Sequence, residues 1–282
     1  MGSAVSAWFS RRSAAILALA LPCLSGLAYL IAFDAPQSYV MVNAGALAIA
    51  LGWTGFGTSL DGAPDGLMAR RVLAALLTAL MALPLVAGPS ADGVMRWISI
   101  GGLSLHMGMV TIPLLVCLAA RDRDFAMPIL LSAMAVTLLQ PDGASAFALM
   151  WASAGLFLVW KDWKTAILAI AGLAVSVIAN LRGDLPPQPF VESILADLAL
   201  IAPAFAIGLA LSLFASFFLM LRLLPRGHAE RYALAGSFAG FSIAALMANY
   251  PHILIGYGAA PIIGYGLALA ANRTDVSPRL RK

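Results

Sequence analysis

The chain has 282 residues, of which 62% are hydrophobic and only 11% charged. That charged share is about half of what a soluble globular domain carries, which excludes an ordinary water-soluble enzyme and indicates an integral membrane protein. The net charge of +4 follows from where Lys and Arg sit between apolar segments and from contact with anionic lipid headgroups, not from a nucleic-acid-binding patch.

A spanning helix needs about 20 mostly apolar residues. Ten intervals qualify, at 13–33, 38–59, 72–88, 102–120, 125–139, 143–160, 165–181, 194–224, 232–249 and 253–271. The predicted fold class is therefore all-α, a polytopic bundle of about ten transmembrane helices forming one domain over residues 1–282, with no soluble module attached. The first interval follows Arg11 and Arg12 and has the look of a secretory signal. Its apolar run of about 20 residues exceeds the ~7–15 of a signal core, and no clear small-residue cleavage site follows, so it reads as the first span. The fifth interval is short, and the eighth is long enough to tilt or to project beyond the bilayer. Cys23 and Cys117 both lie inside apolar runs and read as packing residues. Small residues recur in Gly45-Ala46-Leu47-Ala48-Ile49-Ala50, in Ala152-Ser153-Ala154-Gly155 and in Gly236-Ser237-Phe238-Ala239-Gly240, where they let helix backbones approach closely. No internal repeat supports an inverted-repeat transporter.

Basic loops resist translocation. With the N-terminus placed inside, 15 of the 17 Lys and Arg residues fall on the cytoplasmic side and only Arg96 and Arg182 fall outside. An odd helix count or the opposite orientation scatters this pattern, so an even count and an N-in, C-in topology support each other. The outer face then collects Arg96 and Trp97 from the third connector, Asp142 from the fifth, Arg182, Asp184 and Glu192 from the seventh, and Asn249, His252 and Tyr257 from the ninth. Guanidiniums and carboxylates gathered there suit an anionic lipid headgroup with a base beside it.

Each position also has a plain structural reading. Asp142 follows Gln140-Pro141 and can cap the helix that starts at Gly143. Trp97 can anchor the membrane interface, and Arg96 can meet phospholipid phosphates. Glu192 precedes the eighth interval, where an acid favours a helix N-terminus. Asp197, one turn into the apolar run, needs a partner or water, and Arg182 is the nearest cation in sequence. His106 reads as a hydrogen-bonded packing residue, since no second His or Cys lies at metal-ligand spacing. The chain holds no nucleotide-binding loop, zinc signature or nucleophile elbow.

Three of these stretches carry a resemblance. Arg96-Trp97-Ile98 with Gly101-Gly102-Leu103-Ser104, Gln140-Pro141-Asp142 with Ala144-Ser145-Ala146, and Ile255-Gly256-Tyr257-Gly258-Ala259-Ala260 resemble, in order and loop placement, motifs of the FtsW/RodA/SpoVE (SEDS) cell-shape and cell-division family over residues 90–272. The resemblance implies a ten-helix membrane glycosyltransferase in the bacterial inner membrane. Such an enzyme polymerises peptidoglycan from lipid II, an undecaprenyl-linked disaccharide, beside a class B penicillin-binding protein. It implies chemistry at Glu192 and Asp142, and substrate contacts at Arg96, Trp97, Gln140, Arg182 and Tyr257. Glu192 would serve as general base and Arg96 would offset charge on the diphosphate. It names no certain cofactor, leaves room for a divalent cation, and implies membrane lipids but no nucleic acid as partners.

The chain also departs from the family. His106-Met107-Gly108-Met109 stands where the family has Gln-Pro-Ser-Glu, and Ile112 stands at its lysine. Gly256, Ala259, Ala260 and Pro261 replace hydroxyl-bearing and glycine positions. The seventh connector is cut to about residues 182–193, with Glu192 near the place of the family's aspartate. These departures keep an alternative open, a catalytically inactive lipid-binding or scaffold subunit of the same fold. A small-solute transporter is a third reading.

Overall fold

The structure, a computed structural model, describes residues 2–56, 66–183 and 185–271, with side chains from residue 12 onward. Asp184 and the basic C-terminal residues Arg273, Arg279, Arg281 and Lys282 lie outside the described residues, as does the side chain of Arg11.

Twelve helices and one hairpin follow in order: α1 Gly2–Ala32, α2 Gln37–Phe56, α3 Gly66–Ala82, α4 Pro84–Ala87, β1 Trp97–Ile100, β2 Leu103–His106, α5 Met107–Arg121, α6 Arg123–Leu139, α7 Gly143–Trp160, α8 Trp163–Arg182, α9 Ile194–Ile201, α10 Pro203–Arg222, α11 His228–Met247 and α12 Ala259–Ala270. The chain is a polytopic helical membrane protein. Six of its helices are long and apolar enough to cross a membrane by length and composition, while Met107–Arg121 and Ala259–Ala270 are apolar but shorter.

Each of the ten predicted intervals meets a helix, and the differences have local causes. The interval 72–88 divides into α3 and α4 at Pro84, and 194–224 divides into α9 and α10 at Pro203. Proline in each case lacks the N–H that a continuing helix needs. The fourth span begins at Met107 and not at 102, because residues 103–106 pair antiparallel with 97–100. Gly101 and Gly102 sit at φ of 58° and 83°, the two positive values that a two-residue hairpin turn requires and that glycine adopts without penalty. The all-α expectation of a polytopic helical bundle holds, with one short hairpin added to it. The last span begins at Ala259 and not at 253, because residues 248–258 fold as an irregular loop with Leu254 and Gly258 at positive φ.

Small residues set the tightest helix contacts, as expected. Gly155 and Gly236 belong to two of the three stretches named above, and those two face each other across α7 and α11, whereas a methyl group at Gly45 of the third would meet nothing within 4 Å. A methyl group at Gly236 would lie 2.4 Å from the Trp151 carbonyl oxygen, and one at Gly155 2.3 Å from that of Tyr232. Helix α12 is buried against α2 and α5, with Tyr265 and Ile262 fully enclosed. Cys23 and Cys117 are both free and buried. At the end of the bundle away from the hairpin, Glu230 lies between two arginines, 3.0 Å from Arg121 and 3.8 Å from Arg226. Arg226 also donates to the Ala268 and Leu269 carbonyls at the end of α12.

Candidate functional site

Four connectors meet at the hairpin end of the bundle. Arg96 enters just before β1 and is 2% exposed. Its Nη2 donates to the Gly183 carbonyl at 2.7 Å, and its guanidinium lies over the rings of Trp97 and Tyr250 at 4.9 and 5.1 Å. Gly183 in turn packs tightly on the 140–142 connector, since a methyl group there would lie 2.1 Å from the Pro141 carbonyl oxygen. Arg96 therefore ties together the hairpin, the end of α8, the 140–142 connector and the 248–258 loop.

Asp142 is fully buried. One carboxylate oxygen caps α7 by accepting from the Ser145 N–H at 3.2 Å, and the other faces His106 Nε2 at 3.5 Å. His106 in turn caps α5, its Nδ1 accepting from the Met109 N–H at 3.3 Å. An accepting Nδ1 carries no proton, so in the neutral ring the proton sits on Nε2, toward Asp142. Burial pushes the Asp142 carboxyl up, but His106 and Arg96 beside it outweigh that and hold its pKa at about 2. Capping and electrostatic pairing are both realised at this one residue.

Glu192 sits on a tight turn in which its carboxylate accepts the Gln188 N–H and its own N–H donates back to the Gln188 carbonyl at 3.1 Å. Burial pushes its pKa above the usual carboxylate range, opposed by the Gln188 bond and by the charge of Arg96. This turn is stitched to the 248–258 loop. His252 N–H donates to Val191, and Tyr257 N–H donates to Phe190 at 2.7 Å. Asn43 of α2 secures the same loop by donating to the Gly256 carbonyl and accepting from the Gly258 N–H. Tyr257 stacks on Tyr39 with ring centroids 3.6 Å apart.

These pieces enclose a partly open cavity of about 280 Å³ whose polar walls include Trp97, Ser104, His106, Gln188, Glu192, His252 and Tyr257. Of the catalytic and substrate-binding candidates named in the sequence, Trp97, Glu192 and Tyr257 line this cavity, as do His106 and His252. Arg96 and Asp142 lie one layer behind it, Asp142 facing the cavity-lining His106. Gln140 is buried, spending its amide N–H on the Met81 carbonyl at 2.7 Å. Arg182 is exposed and, among the described residues, reaches the Leu138 carbonyl at 3.4 Å. It meets neither Glu192 nor Asp197, and Asp197 is itself exposed. Among the described residues no three His, Cys, Asp or Glu side chains stand close enough to hold a metal ion.

The sequence reading passed over Tyr250, Asn43 and Gly183. Tyr250 and Gly183 carried no signal of their own, and Asn43 was a single polar residue in an apolar run. His106 was read correctly as a hydrogen-bonded residue, but its partner Asp142, 36 positions away, was not foreseen.

No protein-family model matches the chain, and no curated protein matches it. Solved structures do. RodA, the rod shape determining protein of Thermus thermophilus, matches with a TM-score of 0.65 at 19% identity, covering 91% of this chain and 93% of that one. An Asp-to-Ala variant of the same RodA gives 0.65 at 20% identity over 91% and 94%. A chain from a structure on the coordination of polymerization and crosslinking by a peptidoglycan synthase complex gives 0.58 at 20% identity over 92% and 96%. The fold is therefore that of RodA, a multi-pass helical membrane bundle, shared over nearly the whole length.

Proposed function

We propose that this chain is a distant SEDS member that works in peptidoglycan synthesis at the outer face of the bacterial inner membrane. There it binds an undecaprenyl-linked precursor in the hairpin-end cavity and presents it without transferring the sugar. The observation that carries this reading is the composition of the cavity wall. Glycosyl transfer from a lipid diphosphate needs a carboxylate to take the acceptor hydroxyl proton and a cation to stabilise the leaving diphosphate, both at one site. Glu192 meets the first need, but no Lys or Arg is among the described residues that line the cavity. Arg96, the cation expected to serve, is buried behind the wall and committed to Gly183, Trp97 and Tyr250. A class B penicillin-binding protein is the partner the resemblance implies for such a subunit.

A second reading, transfer itself, is favoured by Glu192. Its raised pKa and its place in the cavity suit a base that removes the acceptor proton as the acceptor oxygen attacks the anomeric carbon and the bond to diphosphate breaks. A transporter has no observation in its favour. The buried charged side chains among the described residues cluster at the two ends of the bundle and leave its middle without charge.

The test is incubation of the reconstituted protein with labelled lipid II, with and without a divalent cation and a class B penicillin-binding protein. Saturable binding without glycan chains is expected. Glycan chains that vanish in Glu192→Gln would establish the transferase in its place, and absence of binding would end both readings.

A further inference from the structure

His252 is 3% exposed, lines the cavity, and leaves both ring nitrogens without a hydrogen-bond partner. Buried polar atoms in native proteins are nearly always paired, and one side chain with two open positions marks a place where something else completes the bonding. The ring is held there by its own backbone, since the His252 N–H donates to Val191 at 2.9 Å and the His252 carbonyl accepts from Gly256 at 3.1 Å. Both bonds fix the loop around it and neither uses the imidazole. The same cavity is lined by Glu192, the only acidic or basic side chain among its described lining residues apart from the histidines, and by Ser104.

We propose that His252, with Glu192 and Ser104, forms a subsite for an uncharged, hydroxyl- or amide-bearing group, the sugar end of the lipid-linked precursor, and leaves the phosphates outside the cavity. This deepens, and rests on, the precursor-binding reading above. A neutral imidazole offers one donor and one acceptor, and a carboxylate offers acceptors only, which together match the alternating donors and acceptors of a sugar face. A diphosphate would instead meet Glu192 with no cation on the wall to offset the repulsion. Burial holds the His252 pKa near 4, so the ring is neutral at the pH where the protein works.

The experiment compares binding of lipid II and of undecaprenyl diphosphate, the same lipid without its sugars, to the protein in nanodiscs. The variants are His252→Phe and His252→Gln, each with its unfolding temperature. Wild type should bind lipid II about tenfold or more tightly than undecaprenyl diphosphate, a free-energy difference of about 1.4 kcal/mol. His252→Phe should abolish that preference while unfolding no lower than wild type, because it removes two unpaired polar atoms from the interior. His252→Gln should retain part of the preference. Equal binding of both lipids by wild type, or a preference that survives in His252→Phe, would overturn the subsite and leave precursor binding intact. A lowered unfolding temperature in both variants with an unchanged preference would show a purely structural histidine and overturn it too. Binding of neither lipid would overturn the subsite together with the reading on which it rests.

Discussion

Acidification should weaken the fold through His252 in a calculable way. Burial lowers the imidazole pKa from the ordinary 6.5 to about 4, so the folded chain keeps this ring neutral where the unfolded chain would protonate it. Between pH 6.5 and 4 the unfolded state binds the extra proton, and stability must fall as pH falls. Below about pH 4 the folded ring also protonates, and the loss levels off. The difference between 6.5 and about 4 corresponds to about 3 kcal/mol. For a chain of this size that translates to roughly 5–10 °C in unfolding temperature. Glu192 acts in the opposite sense over a neighbouring range, since its raised pKa stabilises the folded state at low pH and that contribution is lost as pH rises. The comparison that isolates His252 is therefore wild type against His252→Phe, each followed by tryptophan fluorescence during heating in the same detergent from pH 7 to pH 4. The two should diverge by that amount as pH drops, with wild type losing more. Parallel curves would refute the argument that the ring is buried and neutral in the folded protein.

Other substitutions probe the remaining contacts. Gly183→Ala places a methyl group 2.1 Å from a backbone oxygen and should cost about 1–3 kcal/mol of overpacking strain, seen as a lower unfolding temperature. Arg96→Lys keeps the charge but loses the planar group that sits over two rings and reaches Gly183. A loss of about 2 kcal/mol is expected in the same assay. Glu230→Ala removes the acid between Arg121 and Arg226 at the opposite end and should destabilise by about 3–5 kcal/mol, without altering the ratio of affinities for lipid II and undecaprenyl diphosphate. Arg182→Ala should change stability by no more than about 0.5 kcal/mol, because the side chain is exposed and makes one long contact.

The helical bundle was legible because each apolar run must satisfy its own backbone in lipid, and only a helix does so within one segment. The small-residue stretches around Gly155 and Gly236 marked helices that approach closely, since close packing leaves its mark in composition, although which helices pair was not legible. The hairpin was missed although Gly101-Gly102 signals one, because four-residue strands beside an apolar helix read as part of that helix. The site was legible only in part. Trp97, Glu192 and Tyr257 were gathered correctly from polar residues in loops of one predicted face. What those loops could not reveal is depth. Arg96 and Asp142 stand out in the sequence as charges among apolar residues, yet they are consumed in holding connectors together, and His106 and His252 present the imidazoles to the cavity. Whether a charge lines a cavity or braces its wall depends on contacts between residues such as Arg96 and Gly183, 87 positions apart, and local pattern carries no record of them. The buried Arg226 and Glu230 lay at the i, i+4 spacing of a helical ion pair, a signal that was present and went unused.

The most direct test is to locate the bound precursor by placing a photoreactive residue at Ser104, on the cavity wall, and irradiating the reconstituted protein with labelled lipid II. Crosslinking to the lipid's sugar portion, competed by unlabelled lipid II and accompanied by no glycan chains, is the predicted result. Glycan chains in the same reaction, or a crosslink found only at the lipid-facing surface away from the cavity, would contradict the account.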